Sequence, residues 1–132
     1  MLPGVYIGKE NTGGYDLIST GDYINPIAPV FKLKDTRNSI SKDDILYLIV
    51  NDVDIELIKV EVVGAMSMVK VFLSWDTVKW TTIVTKTENI NAIGTVIKIP
   101  FYIRVTVDDF LEYFELSGTN AYKQYKLKLA YI

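Results

Sequence analysis

The chain has 132 residues, 49% of them apolar and 23% charged, which is enough for one hydrophobic core and excludes a largely disordered tract. Fourteen basic against sixteen acidic residues give a net charge of -2 with the cations scattered, so no positive field gathers a phosphate backbone and nucleic acid is not an expected partner. Histidine and cysteine are both absent, which removes the commonest general base, the thiol nucleophile, the disulfide and the usual metal ligands together.

Residues 1–29 hold five of the eight glycines and three of the four prolines and show no sustained period, so they are expected to form an irregular N-terminal arm. The arm is nonetheless rich in apolar side chains, among them Val5, Ile7, Leu17, Ile18 and the tyrosines Tyr6, Tyr15 and Tyr23. Such a segment needs a surface to lie on. Its start lacks the basic and apolar regions of a secretory signal, and the longest apolar run in the chain, Ile45 to Val50, is too short to span a bilayer, so a soluble protein without membrane contact is expected.

From residue 30 the pattern changes to period two, in which successive side chains face opposite sides of a sheet. Phe31 and Leu33 alternate with Lys32 and Lys34. The run Ile45 to Val50 suits a strand covered on both faces. Ile58, Val60 and Val62 alternate with Lys59 and Glu61, while Ile55 and Leu57 fall in the opposite phase, which predicts a bulge near Leu57. Val69, Val71, Leu73 and Trp75 form the next inward row, and after a tight connection at Asp76-Thr77 come Val78, Trp80, Thr82 and Val84. The clearest row is Ile97, Ile99, Phe101, Ile103, Val105 and Val107, interrupted by Pro100, where the missing donor predicts an edge, a bulge or a change of sheet. Residues 108–119 read as an irregular turn, and Tyr125, Leu127, Leu129 and Tyr131 as a terminal strand. About seven short strands without a helix predict an all-β fold, a two-sheet antiparallel sandwich over residues 30–132.

Catalysis would have to rest on carboxylates, Lys, Tyr or Ser, and among the carboxylates no pair is visibly arranged for it. Asp52, Asp54 and Glu56 point to one side of an extended segment and would suit calcium, but they lack the glycine and ligand spacing of a calcium loop and read as a solvated turn. The adjacent pairs Asp43-Asp44 and Asp108-Asp109 diverge in direction, whereas a glycosidase needs two carboxylates facing each other. No enzyme, cofactor or metal site is therefore expected. Ser74-Trp75-Asp76 leading to Trp80 resembles the Asp-box hairpin of sialidase-type propellers, with Val78 where that motif has glycine, and only a hairpin is taken from it. Trp75 shares the phase of Val71 and Leu73 and belongs to the core. Tyr102 and Arg104 fall in outward phases, Trp80 shares its row with the polar Thr82, and these three with Tyr6, Tyr15 and Tyr23 are the candidate partner-binding residues, since tyrosine offers apolar area with a polar tip. For Arg104, a cross-strand ion pair is the simpler reading.

Two segments, Val71-Phe72-Leu73-Ser74-Trp75-Asp76 leading to Trp80, and Ile99-Pro100-Phe101-Tyr102-Ile103-Arg104-Val105-Thr106-Val107 followed by the closing strand, together resemble immunoglobulin-like domains of tailed-bacteriophage virions. The resemblance covers Val69 to Ile132. It implies an immunoglobulin-like sandwich and a non-enzymatic structural protein of the virion, a capsid decoration or tail accessory assembled in the host cytoplasm. Its partners would be capsid or tail proteins in a symmetric lattice, or further copies of itself in a homo-oligomer, with the arm lying across a neighbouring subunit. The alternative is a carbohydrate-binding module or fibre-tip adhesion domain using Trp80 and Tyr102.

Overall fold

The computed structural model describes residues 2–11, 14–20, 39–64, 69–108 and 125–132. They form eight strands: β1 (Gly4–Asn11), β2 (Gly14–Thr20), β3 (Ile40–Asn51), β4 (Asp54–Val63), β5 (Val69–Ser74), β6 (Ile83–Asn91), β7 (Val96–Val107) and β8 (Lys126–Tyr131). The fold is all-β, with a five-stranded antiparallel sheet in the order β2-β1-β3-β7-β5 and a three-stranded one in the order β6-β4-β8. The spine of the larger sheet is the β3–β7 pair, aligned without interruption from Ile40↔Val107 to Asn51↔Val96.

Strand alternation accounts for the core. Val5 and Ile7 of β1, Leu46, Leu48 and Val50 of β3, Val69, Val71 and Leu73 of β5 and Phe101, Ile103, Val105 and Val107 of β7 are buried on one face of the larger sheet. They meet Ile58 and Val60 of β4, Val84 and Ile90 of β6 and Leu127 and Leu129 of β8 in a single cluster. The register of β4 on β6 shifts between Ile55 and Leu57, at the predicted bulge, and this lets Ile55 join Ile58 inside. Pro100 lies opposite Tyr47 of β3 but beyond the last pairing of β5, Ser74↔Tyr102, so its missing N–H falls where the described residues place no strand on that flank.

Three expectations are corrected. Residues 4–20 are not irregular: β1 and β2 form a hairpin, and β1 pairs with β3 from Gly4↔Asn51 to Gly8↔Tyr47. Their alternation is short and broken by glycine, and at Gly8 the glycine is required, since a Cβ there would stand 2.9 Å from Ile49 Cδ1 and 3.2 Å from Tyr15 Cβ. Ser74-Trp75-Asp76 does not join a hairpin, because β5 and β6 belong to different sheets. The segment is a corner between them, tied by the single bridge Leu73↔Thr81. Nor do Val78, Trp80 and Thr82 continue an inward row: Val78 and Thr82 are exposed, Trp80 half-buried, and β6 begins only at Ile83. The strand predicted at Phe31 and Leu33, the turn at 109–119, residues 21–29 of the arm and Tyr23 lie outside the described residues.

Side chains close the flanks between the sheets. The buried Ser19 hydroxyl of β2 donates to the Leu127 carbonyl of β8 at 2.6 Å. At the opposite flank the Trp75 indole donates to the Thr85 carbonyl of β6 at 3.2 Å. Trp75 also meets Phe101 edge-on at 6.2 Å, so it seals the core as its phase predicts.

Candidate protein-binding face

The pairing of β1, β3, β7 and β5 fixes which side chains emerge on the outer face of the five-stranded sheet. Rows across the sheet run Gly8, Tyr47, Pro100; then Ile45, Tyr102, Ser74; then Asp43, Arg104, Phe72; then Ser41, Thr106, Lys70. Tyr6 lies opposite Ile49 on the same side. The outer face of a solvated antiparallel sheet is ordinarily polar. This one carries Tyr6, Tyr15, Tyr47, Phe72 and Tyr102, all half-buried.

Two small clusters hold these rings in place. Gly8 leaves a gap that the side chain of Ile49 fills, and Ile49 is buried although it stands outside the main core. Above it Tyr15 packs edge-on against Tyr47 at 5.6 Å, and Lys98 Nζ sits 4.6 Å from the Tyr15 ring. Tyr6 is anchored by its hydroxyl, which donates to the Leu2 carbonyl at 2.6 Å.

The second cluster is built by the corner after β5. The Ser74 hydroxyl accepts from Thr77 N–H at 2.8 Å, and Asp76 Oδ1 accepts from Val78 and Lys79 N–H at 2.9 and 3.0 Å, an arrangement in which short polar side chains replace strand pairing. Thr77 adopts a positive φ of 66° to make the turn. These bonds hold the Asp76 carboxyl below the usual carboxylate range. The turn delivers Trp80, whose indole donates to the Thr77 carbonyl at 3.1 Å, onto the sheet face. There the Arg104 guanidinium lies 4.2 Å from the Trp80 ring centre while it grips Asp43 through two bonds of 2.8 and 2.9 Å. The bidentate pair lowers the Asp43 pKa and raises that of Arg104.

The simpler reading of Arg104 is therefore correct, and the pair also positions an aromatic ring. Of the six candidate residues, Tyr6, Tyr15, Trp80, Tyr102 and Arg104 share this face. Sequence reasoning missed Tyr47 and Phe72. Tyr47 was hidden in a run read as buried on both sides, and Phe72 between two core residues, although its outward phase relative to Val71 and Leu73 was available.

Four of the other carboxylates singled out in the sequence, Asp44, Asp52, Asp54 and Asp108, are engaged elsewhere. Asp44, although partial burial pushes its carboxyl up, is held low by Lys9 at 2.8 Å and the Ile45 N–H. Asp54 accepts from Ala92 and Ile93 N–H, Asp52 from Gly94 N–H, and Asp108 pairs with Lys70. Among the described residues no three such groups gather as metal ligands.

The fold and face define an all-β domain of two antiparallel sheets with an exposed aromatic surface on the larger one. No family model, curated protein or solved structure matches the chain.

Proposed function

We infer that this chain is a non-enzymatic binding domain that docks on a protein lattice through the outer face of its five-stranded sheet. The observation that carries the reading is the contrast between its two outer faces. Aromatic side chains with polar tips, the composition enriched at protein interfaces, crowd one of them. The other presents Lys59, Glu61, Thr85, Lys126 and Lys128, a charged strand surface without that aromatic composition. An immunoglobulin-like sandwich is the finer description we propose for the fold, and a virion, as capsid decoration or tail accessory, is the setting. Both follow from the resemblance of Val71 to Asp76 and Ile99 to Val107 to phage virion domains.

The contact is argued from the sheet face and not from an arm, since β1 supplies Val5 and Ile7 to the core. The test is cosedimentation with capsids or tails assembled without this protein. The Tyr47→Ala/Tyr102→Ala double variant should melt cooperatively yet lose particle binding by at least about tenfold, the scale of lost interface anchors. Undiminished binding by a folded double variant would overturn the reading. Glycan binding that disappears in Trp80→Ala would instead support the carbohydrate-binding alternative, which has against it that Arg104 already lies over the Trp80 ring.

A further inference from the structure

One end of the molecule is built from two connections between the sheets, Asp52-Val53 joining β3 to β4 and Ala92–Thr95 joining β6 to β7. They are bonded to each other: Asp52 N–H to the Thr95 carbonyl at 2.9 Å, Ala92 N–H to the Val53 carbonyl at 3.2 Å, and Gly94 N–H to Asp52 Oδ1 at 2.7 Å. Asp54 Oδ1 adds two more bonds, from Ala92 and Ile93 N–H. Asp52 and Gly94 both hold positive φ, 51° and 79°. Such a cross-braced pair of loops is preorganised, so ordering it costs little on binding.

The pair displays apolar side chains to water. Ile93 is 71% exposed, Val96 47% and the neighbouring Leu2, whose carbonyl is held by Asn51, 79%. A hollow of about 350 Å³ lined by Asn51, Asp52, Gly94, Thr95 and Val96 lies beside them. Among the described residues the carboxylates here have no cationic partner: Asp52 and Asp54 bond to backbone amides, and Glu56 makes no ion pair. The complement is on the same molecule. On the outer face of the three-stranded sheet, among the described residues, Lys126 and Lys128 make no ion pair and Lys59 has Glu61 alone, at 4.0 Å. The exposed Ile83 of β6 adds apolar area to that face.

We propose that a second copy of this chain docks here, its three-stranded sheet face receiving the Ile93–Val96 end of the first. Unpaired carboxylates around an aliphatic centre on one surface match unpaired lysines around aliphatic area on the other. The contact joins different surfaces of the two copies, so the dimer keeps one end and one face free and association propagates beyond it. Neither surface includes the aromatic face, so the proposal stands apart from the binding reading.

The test is sedimentation velocity over a range of concentration and salt. The wild type should exceed its 15.0 kDa monomer mass as concentration rises, and salt should reverse this. Ile93→Arg should block the end, and Lys126→Glu/Lys128→Glu should block the face, each weakening self-association by at least about tenfold. Glu56→Lys, at an exposed residue whose side chain makes no hydrogen bond or ion pair among the described residues, repeats the end-blocking test with little risk to folding. Mixing a blocked-end with a blocked-face variant should restore one contact and give a species of twice the monomer mass, no larger. A wild type that stays monomeric, association surviving in either variant, or a mixture that forms no dimer would each overturn the proposal. Tyr47→Ala/Tyr102→Ala should leave self-association unchanged, which separates its failure from that of the lattice-binding reading.

Discussion

Truncation of Phe101 to alanine tests the packing on which every face assignment depends. The ring is fully buried, in the middle of β7, and meets Trp75 edge-on at 6.2 Å. Deleting a core phenylalanine costs about 3 to 5 kcal/mol, and an aromatic pair of this kind is worth about 0.5 to 1.5 kcal/mol beyond its area, so the upper half of the range is expected. At about 2.1 cal/mol/K of unfolding entropy per residue, 132 residues give about 0.28 kcal/mol/K, so a loss of about 4 kcal/mol lowers Tm by about 14 °C. Urea unfolding followed by tryptophan fluorescence measures the same quantity as a drop in midpoint at constant slope, which shows that the native fold is kept. A loss below about 1 kcal/mol, the scale of surface substitutions, would mean that Phe101 does not lie between the sheets and that Tyr102 and Arg104 do not share an outer face.

Other consequences follow from single contacts. Gly8→Val should cost about 1 to 3 kcal/mol by overpacking against Ile49 and Tyr15, and thermal melts should place it well below the wild type. Ser19→Ala removes the 2.6 Å bond to the Leu127 carbonyl and should cost about 1 to 2 kcal/mol in urea unfolding. The Asp43 carboxyl is depressed below its ordinary value of 3.8 by Arg104, so its contribution to stability is full above pH 3.8 and is lost as pH falls through the lower folded-state value. Asp43→Asn should therefore flatten the acid limb of a stability-against-pH curve below about pH 4, and added salt should flatten the wild-type limb as well, because the pair is largely exposed. An unchanged acid limb in Asp43→Asn would contradict the bidentate geometry.

The all-β class, the β7 row, the bulge near Leu57 and the core role of Trp75 were legible because period-two alternation reports burial directly. The N-terminal strands were not, since at Gly8 the outward position holds no side chain and the pattern breaks where the packing is closest. The corner at Ser74 was misread for another reason. Its local chemistry, a serine and an aspartate capping a turn, is that of a hairpin, but whether the next strand joins the same sheet is decided by long-range packing that no short motif encodes. Of the face, Tyr102 and Arg104 could be placed by phase alone, whereas their meeting with Trp80 and Tyr47 required the register of β3 on β7.

The two proposed contacts would reinforce one another through copy number. A face of half-buried tyrosines with already paired charges offers modest affinity to any single site, because its ion pairs bring little beyond what they have within the chain. Copies joined end to face would hold several such faces at fixed spacing, and each further contact with a lattice would then be intramolecular, raising avidity by orders of magnitude without new chemistry. The Lys126→Glu/Lys128→Glu variant separates the two effects. Its aromatic face is untouched, so binding to an isolated lattice subunit should match the wild type, while retention on assembled particles should fall. Equal loss on subunit and particle would place the lysines in the lattice contact itself, and equal retention on both would show that the faces act one copy at a time.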